Sequence, residues 1–256
     1  AVLLSTALAA SLMLASPVSA QSAGNTAEAE APDYPAILPL REQAKSRDAW
    51  LAQRLETVVP ALMREQGVDM WVLIAREYDE DPVVATMLDA RSMHARRRTI
   101  LVFFDPGEGK PVERLTVSRY GLAGMFAPVW TPEQQPDQWK RLAEIVAERN
   151  PQKIAMNISS QTALADGLSH SQYEDFVAAL PPEYRERIVP AGPLAIGWLE
   201  SRIPAEMEVY PSIVRLAHAI IAEALSDKVI TPGQTTAEDV QWWMREKISA
   251  LGPKTW

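Results

Sequence analysis

Hydrophobic positions along the chain alternate between the spacing of amphipathic helices and the continuous runs of buried strands. Apolar side chains at helical intervals predict helices over residues 42–65, 138–149, 171–180 and 195–201. Short apolar runs predict strands over residues 69–75, 99–104, 115–118, 153–157 and 188–191. The turn sequence Asp105-Pro106-Gly107 between the second and third runs indicates an antiparallel hairpin. Strands that alternate with helices predict an α/β layer, and the hairpin makes its sheet mixed.

Residues 201–256 predict two further helices. Pro204 suits the start of the first, because proline lacks the N–H that a first helical turn leaves unbonded. Glu206 and Glu208 follow it, and acids are favoured at the positive end of a helix. The apolar stripe of this helix comprises Tyr210, Ile213, Val214, Ala217, Ile220, Ile221, Ala224 and Leu225.

The second of these helices follows a Thr231-Pro232-Gly233 turn. Thr235 and Glu238 have the spacing of a capping box, and Gly252 ends the periodic pattern. Its apolar stripe comprises Val240, Trp243, Met244, Ile248 and Leu251.

Residues 1–20 form an apolar run that ends in Val18-Ser19-Ala20. Small residues at the last and third-last positions match a signal-peptidase site. A buried helix or a membrane anchor is the weaker interpretation, since Ser16-Pro17 interrupts the run and it is short for a span. Residues 21–39, rich in Ala, Glu, Ser and Pro, predict a disordered linker. We therefore expect a secreted protein with no membrane span after signal removal.

Composition narrows the possible functions mainly by exclusion. Hydrophobic residues make up 47% of the chain and charged residues 23%, which is typical of a globular protein. The formal net charge of −8 argues against a nucleic-acid partner, since such binders show a basic face. The absence of cysteine excludes a disulfide scaffold, a thiolate metal site and a cysteine nucleophile. The basic run Arg96-Arg97-Arg98 is either a solvated strand entrance or a phosphate site.

Acids and histidines are the first candidates for chemistry. The acid-rich residues 77–81 follow a predicted strand end and form either a hard-cation site or a polar loop with helix-capping acids. The histidines His94, His170 and His218 have no metal-ligand spacing, and we expect His218 to pack at a helix flank.

Serines and tryptophans add no clear site. The serines at positions 159, 160, 169 and 171 lack the glycines of a nucleophile elbow. Asp166-Gly167 predicts a turn with a local side-chain bond. Trp242 and Trp243 are expected to place one ring in the core and one at a boundary. Spacing alone therefore assigns no catalytic, cofactor-binding or metal-binding residue.

Longer stretches of the sequence resemble a known family. Pro204-Ala-Glu-Met-Glu, Ile213-Val-Arg-Leu-Ala-His218 and residues 229–240 resemble the start of the catalytic domain of the pita-bread metallopeptidases. That group includes Xaa-Pro aminopeptidases, prolidases, creatinases and methionine aminopeptidases. The creatinase-type N-terminal domain of the same family is similar to residues 37–73, 96–104, 154–180 and 195–202.

The resemblance implies a creatinase-type N-terminal domain over residues 40–202, with a mixed sheet and helices on both faces. Residues 203–256 would then be the first two helices of a pita-bread α+β catalytic domain. In that family two Asp, one His and two Glu hold two divalent ions (Mn, Co or Zn), which activate a bridging water. The resemblance places those ligands beyond residue 256, so no acid or histidine of this chain matches them.

The resemblance implies a metallopeptidase that hydrolyses peptide substrates near their N-terminus, with the metal site outside this chain. The predicted signal peptide departs from the many cytoplasmic members of the family and indicates a secreted, periplasmic one. The N-terminal domain would shape substrate access and could provide homo-oligomer contacts. Alternatives stay open: a partner-binding pita-bread protein without metal ligands, a creatine-like hydrolase, and a stand-alone secreted domain. If the catalytic sheet lies downstream, we expect the apolar faces at Ile213, Ile220 and Val240 to be under-covered.

Overall fold

A computed structural model describes residues 34–92, 94–107 and 109–252. The predicted signal peptide, and the predicted linker up to residue 33, lie outside the described residues. The helices are α1 (Leu40–Gln66), α2 (Pro82–Thr86), α3 (Gln138–Arg149), α4 (His170–Ala179), α5 (Pro182–Arg185), α6 (Gly192–Glu200), α7 (Pro204–Met207), α8 (Tyr210–Ala224) and α9 (Ala237–Leu251). The strands are β1 (Met70–Ala75), β2 (Thr99–Phe104), β3 (Glu113–Thr116), β4 (Ala127–Pro128), β5 (Ile154–Met156) and β6 (Ile188–Pro190).

These strands form one mixed sheet in the order β4-β3-β2-β1-β5-β6. Strand β2 is antiparallel to both β1 and β3, so the predicted hairpin is confirmed, with β3 starting two residues earlier than expected. Parallel pairs join β1 to β5, β5 to β6 and β3 to β4. The α/β architecture predicted from the alternation of strands and helices is therefore confirmed.

Helices cover both faces of the sheet, as expected. Alternate residues of β1 and β2, such as Trp71 and Phe103, pack with α1, α2 and α6 on one face. The intervening residues, such as Val72 and Val102, pack with α3 and α4 on the other. All six residues of β1 are buried, because a central strand covered on both faces has no side left for solvent.

Helix α1 shows how the apolar stripe produces this packing. Its buried residues Leu51, Leu55, Val59 and Met63 recur every four positions, which places them on one face of the helix. Gly67 follows in the left-handed conformation at φ 58°, and its N–H bonds back to the helix. Glycine at this position lets the chain turn directly into β1.

The first C-terminal helix differs from its prediction. The helix expected to run on from Pro204 is interrupted, and the short α7 and the longer α8 flank Glu208 and Val209. Pro211 lies in the first turn of α8, where a missing N–H is tolerated, so this proline allows a fresh start after the break.

The capping box of α9 also differs, because it lies one residue later than predicted. Thr236 Oγ1 accepts from the Asp239 N–H at 3.2 Å, and Asp239 Oδ2 accepts from the Thr236 N–H at 2.8 Å. Thr235 instead accepts from the Thr231 N–H at 2.8 Å, within the preceding turn. Thr235 and Glu238 are therefore not the capping pair, since the turn already uses the Thr235 hydroxyl.

The apolar faces of α8 and α9 are only partly covered. Ile213 is 54% exposed and Val240 is half-buried, whereas Ile220 is buried, so the expectation was wrong for Ile220. Ile220 and Ala224 lie one turn apart on the covered face of α8, which packs against α9. No residue of α9 is fully buried. Within the described ranges no helix has both the length and the apolarity needed to cross a bilayer.

Candidate functional site

The acid-rich segment 77–81 stabilises the start of a helix. Asp81 Oδ1 accepts from the N–H groups of Val83 and Val84, at 2.8 and 3.0 Å, and so caps α2. The Glu80 carboxylate accepts from Nε of Arg76 at 2.9 Å. The helix-capping interpretation of this segment is therefore confirmed for Asp81.

A buried polar chain connects β1 with the loops that follow β1 and β5. Trp71 Nε1 donates to Asn157 Oδ1 at 3.0 Å, and Asn157 Nδ2 donates to Asp81 Oδ2 at 2.8 Å. Gly167 lies directly against this chain, since a Cβ on it would be 2.5 Å from Asp81 Cγ. Burial raises the pKa of Asp81, and the hydrogen bonds from Val84 and Asn157 oppose that rise in part.

Both carboxylate oxygens of Asp81 have a donor. The group therefore works as a structural cross-link between two loops at one end of the sheet. The sequence alone does not predict this cross-link, because Asn157 is far from Trp71 and Asp81 along the chain. Only the parallel pairing of β1 with β5 brings them together.

A second polar cluster joins the α/β unit, the sheet and its covering helices over residues 40–200, to the C-terminal helices. Arg54 of α1 donates through Nη1 to Glu206 Oε1 of α7 at 3.0 Å, and through Nη2 to the carbonyl oxygen of Trp198 in α6. Its guanidinium lies 4.3 Å from the centroid of the Trp198 ring. The side chains of Arg54 and Glu206 are only 12% and 15% exposed. We call Arg54, Trp198 and Glu206 the joint.

Further contacts fix the members of the joint. Trp198 Nε1 donates to Thr86 Oγ1 at 2.8 Å, which ties α6 to α2. Glu206 Oε2 accepts from the Ile203 N–H at 2.8 Å, so the same carboxylate caps α7 and pairs with Arg54. The acid-rich helix start recognised in the sequence therefore acts through Glu206. A cleft of about 550 Å³ opens beside the joint, with Arg47 and Asp79 among its lining residues.

The segment before α1 makes a separate polar contact with the C-terminal helices. The Tyr34 hydroxyl donates to the Glu223 carboxylate in α8, and Lys247 Nζ of α9 lies 2.9 Å from Glu223 Oε2. The same Nζ lies 4.6 Å from the centroid of the Tyr34 ring. The hydrogen bonds from Tyr34 and Lys247 hold the pKa of Glu223 below its ordinary value. We call these three residues the clasp.

The three histidines lie in different places. His94 contacts the Tyr78 ring in a tilted arrangement, with centroids 5.1 Å apart. His170 begins α4, where its Nε2 lies 3.3 Å from Glu174 Oε1. His218 is exposed on α8, so the expected flank packing is wrong. Ile220 and Ala224 mark the covered face of α8, and His218, two positions before Ile220, lies on the opposite side of the helix.

The remaining sequence candidates form local structure. Asp166 Oδ1 accepts from the N–H of Ser159, seven residues earlier, at 2.8 Å. The expected local side-chain bond of a turn at Asp166-Gly167 is therefore wrong, because the carboxylate is used to close the longer loop that begins at Ser159. Ser159 Oγ accepts from the Thr162 N–H at 3.1 Å. The expectation of a core tryptophan is wrong, because Trp243 is half-buried and Trp242 is 51% exposed on the outer face of α9.

Within residues 34–92, 94–107 and 109–252, no group of three or more His, Asp or Glu side chains is arranged to hold a metal ion. The described side chains therefore do not fit the two-metal centre that the resemblance implies. They form an α/β unit with a buried core and polar connections to the C-terminal helices.

The sequence matches no protein-family model and no curated protein. Among solved structures, the chain is similar to the Xaa-Pro dipeptidase from Bacillus anthracis at a TM-score of 0.45 and 15% sequence identity. The alignment covers 82% of this chain and 50% of that one. The chain thus spans about half the length of that dipeptidase, and a likeness at this level assigns no activity.

Proposed function

We propose that the chain is the N-terminal portion of a secreted, metal-dependent peptidase of the Xaa-Pro type, whose metal ligands lie in a downstream segment. The observation that carries this proposal is the incomplete cover of α8 and α9, in which no residue of α9 is fully buried. Helices with an apolar stripe are stabilised mainly by packing that stripe against another layer. A catalytic sheet following these helices would supply that layer.

Within this proposal the α/β unit shapes access to the catalytic domain and takes no part in bond cleavage. The joint supports such a role, because Arg54 connects α1 and α6 of the α/β unit to α7 through contacts largely shielded from water. A shielded charge pair of this kind favours one orientation of the two units over others. The proposed substrate is a peptide, and the proposed location is the periplasm.

The test is to determine the downstream coding sequence and produce the extended protein. We expect two Asp, one His and two Glu in that order, and hydrolysis of Xaa-Pro peptides that requires Mn²⁺, Co²⁺ or Zn²⁺. The matched control is the present chain, which should hydrolyse no peptide under the same conditions. A tight two-metal site in the present chain would contradict the proposed position of the ligands.

The partner-binding alternative gives a different outcome of the same experiment. A downstream segment that lacks the metal-ligand series, in an extended protein that hydrolyses no Xaa-Pro peptide, would replace the peptidase proposal with that alternative. The proposed secretion is tested by a separate experiment. The sequence of the exported protein, determined from its N-terminus, should begin at Gln21. Export with residues 1–20 retained would contradict the proposed signal peptide.

A further inference from the structure

We propose that a cleft between the segment entering β2 and the loop after β3 binds a small anion with at least two phosphate or carboxylate groups. This arginine cleft has a volume of about 870 Å³, and its lining includes Arg96, Arg97, Arg119, Ser92, Ser118 and Tyr120. The volume lies within the range of small-molecule sites, which is about 300–1,000 Å³. This inference is independent of the proposed peptidase function.

The first observation is a local reversal of charge. The chain has a formal net charge of −8, yet four arginines and a single acid line the arginine cleft. That acid, Asp89, is buried and accepts hydrogen bonds from the Ser92 hydroxyl and the Arg91 N–H. A concave basic surface inside an acidic protein concentrates small anions there.

The second observation concerns which of these arginines are already engaged. Arg119 pairs with Glu133 at 2.9 Å. Arg98 stacks 4.2 Å from the Trp139 ring centroid and donates to Gln172. Arg96 and Arg97 are exposed and have no carboxylate partner among the described residues. Two guanidinium groups at adjacent positions are therefore available to an incoming anion.

The third observation is backbone strain on the walls of the cleft. Five described residues other than glycine have positive φ, and three of them, Arg97, Leu122 and Ala123, line the arginine cleft. A fourth, Tyr78, contacts the ring of the cleft residue His94. Left-handed backbone carries a steric cost in such residues and tends to concentrate at functional sites. The strain therefore points to a cleft whose shape is maintained for a ligand.

These features determine the chemical class of the ligand. Guanidinium groups bind oxyanions through paired, charge-assisted hydrogen bonds, which suit phosphate and carboxylate equally. Two available arginines match a ligand with two anionic groups. A long polyanion such as nucleic acid is disfavoured, because the net charge of −8 on the chain would repel it.

Calorimetric titration tests the proposal with pyrophosphate in one arm and citrate in the other. We expect saturable binding of at least one of them at one site per chain, and the tighter ligand identifies the preferred group. The double variant Arg96→Gln/Arg97→Gln should weaken this binding by about tenfold or more, since charged hydrogen bonds are lost. The matched control Arg41→Gln/Arg215→Gln removes the same charge from exposed helix positions and should leave binding unchanged.

A second pair of variants does not alter the arginines. Asn and Asp both tolerate the left-handed backbone found at Ala123, where φ is 56°. Ala123→Asp adds a negative charge at the exposed edge of the cleft and should weaken binding, whereas Ala123→Asn should not. The proposal is overturned if neither anion binds saturably, if the control double variant weakens binding equally, or if the Asp and Asn variants bind alike.

Discussion

The α/β unit and the two C-terminal helices both carry apolar stripes but differ in how much of each stripe is covered. Every residue of β1 is buried between two helical layers, whereas no residue of α9 is. The α/β unit is thus held together mainly by buried apolar side chains. Its connections to the helices include two polar clusters, the joint and the clasp. Amphipathic patterning predicts helices in both regions, but only a covering layer converts the pattern into stability.

The largest expected effect lies in the core of the sheet. Phe103 is fully buried, and its ring lies 5.8 Å from Trp71 and 5.6 Å from Phe126, measured between centroids. Phe103→Ala should lower the free energy of unfolding by about 3–5 kcal/mol, because it removes buried surface and leaves a cavity. Urea denaturation followed by circular dichroism measures this loss.

The control for Phe103 comes from the other region. Ile213 is 54% exposed on α8, so Ile213→Ala should change the free energy of unfolding by about 0.5 kcal/mol or less. Equal losses in the two variants would contradict the difference in cover between the two regions.

A smaller effect is expected at the joint. Arg54→Leu keeps an apolar stem against Trp198 but leaves Glu206 without its charge partner. The expected loss is about 2 kcal/mol, the value of a hydrogen bond between charged groups. Limited proteolysis should show faster cleavage near residues 201–204, where α6 gives way to α7. Arg47→Leu, on the same helix and beside the same cleft, is the matched control, and the protease should cleave this variant at the wild-type rate.

The polar chain inside the α/β unit predicts a pH effect of known sign. Burial raises the pKa of Asp81 above its model-compound value of 3.8, so in acid the folded state binds this proton more tightly than the unfolded state does. The stabilisation that the raised pKa of Asp81 adds to the free energy of unfolding is therefore complete below pH 3.8. It is lost as pH rises through the raised pKa. Asn at this position does not titrate.

The difference in free energy of unfolding between wild type and Asp81→Asn should therefore fall as pH increases across that interval. Its size is about 1.4 kcal/mol for each unit by which the pKa is raised. Urea titrations at a series of acidic pH values measure the difference directly. A difference that grows with pH would mean that the hydrogen bonds from Val83, Val84 and Asn157 outweigh burial at Asp81.

The smallest expected effect lies at the clasp. Tyr34→Phe removes only the hydroxyl that donates to Glu223, and the expected loss is about 0.5–1 kcal/mol because the site is partly solvated. Tyr173→Phe is the matched control, since Tyr173 is half-buried and its hydroxyl has no hydrogen bond to any described residue. Thermal denaturation should distinguish the two variants, and an equal shift would show that the clasp adds nothing.

The sequence predicted most of the α/β unit because local pattern and tertiary burial agree there. The stripe of α1 contains Leu51, Leu55 and Val59, and the turn at residues 105–107 ends β2 as expected. Short elements such as α2 and α5 were missed, since each depends on a proline or a cap and not on a repeating apolar pattern.

The polar clusters could not be predicted, for a different physical reason. Arg54 lies between Leu51 and Leu55 on the sequence and looks like an ordinary solvated helix residue. Only the packing of α6 and α7 against α1 turns it into the centre of the joint. The three arginines at 96–98 likewise have different surroundings that the sequence does not reveal. Trp139 and Gln172 contact Arg98, whereas Arg96 and Arg97 are exposed.

Native-state hydrogen exchange tests the difference between the two regions most directly. We predict that amides of β1 and β2 exchange only through global unfolding, whereas those of α9 exchange through a much smaller opening with no sheet strand involved. The joint should then protect α7 more than α9, whereas the clasp contacts both α8 and α9 and should not separate these two helices. Equal protection of β1 and α9, at the global free energy of unfolding, would contradict the account that the C-terminal helices lack a covering layer.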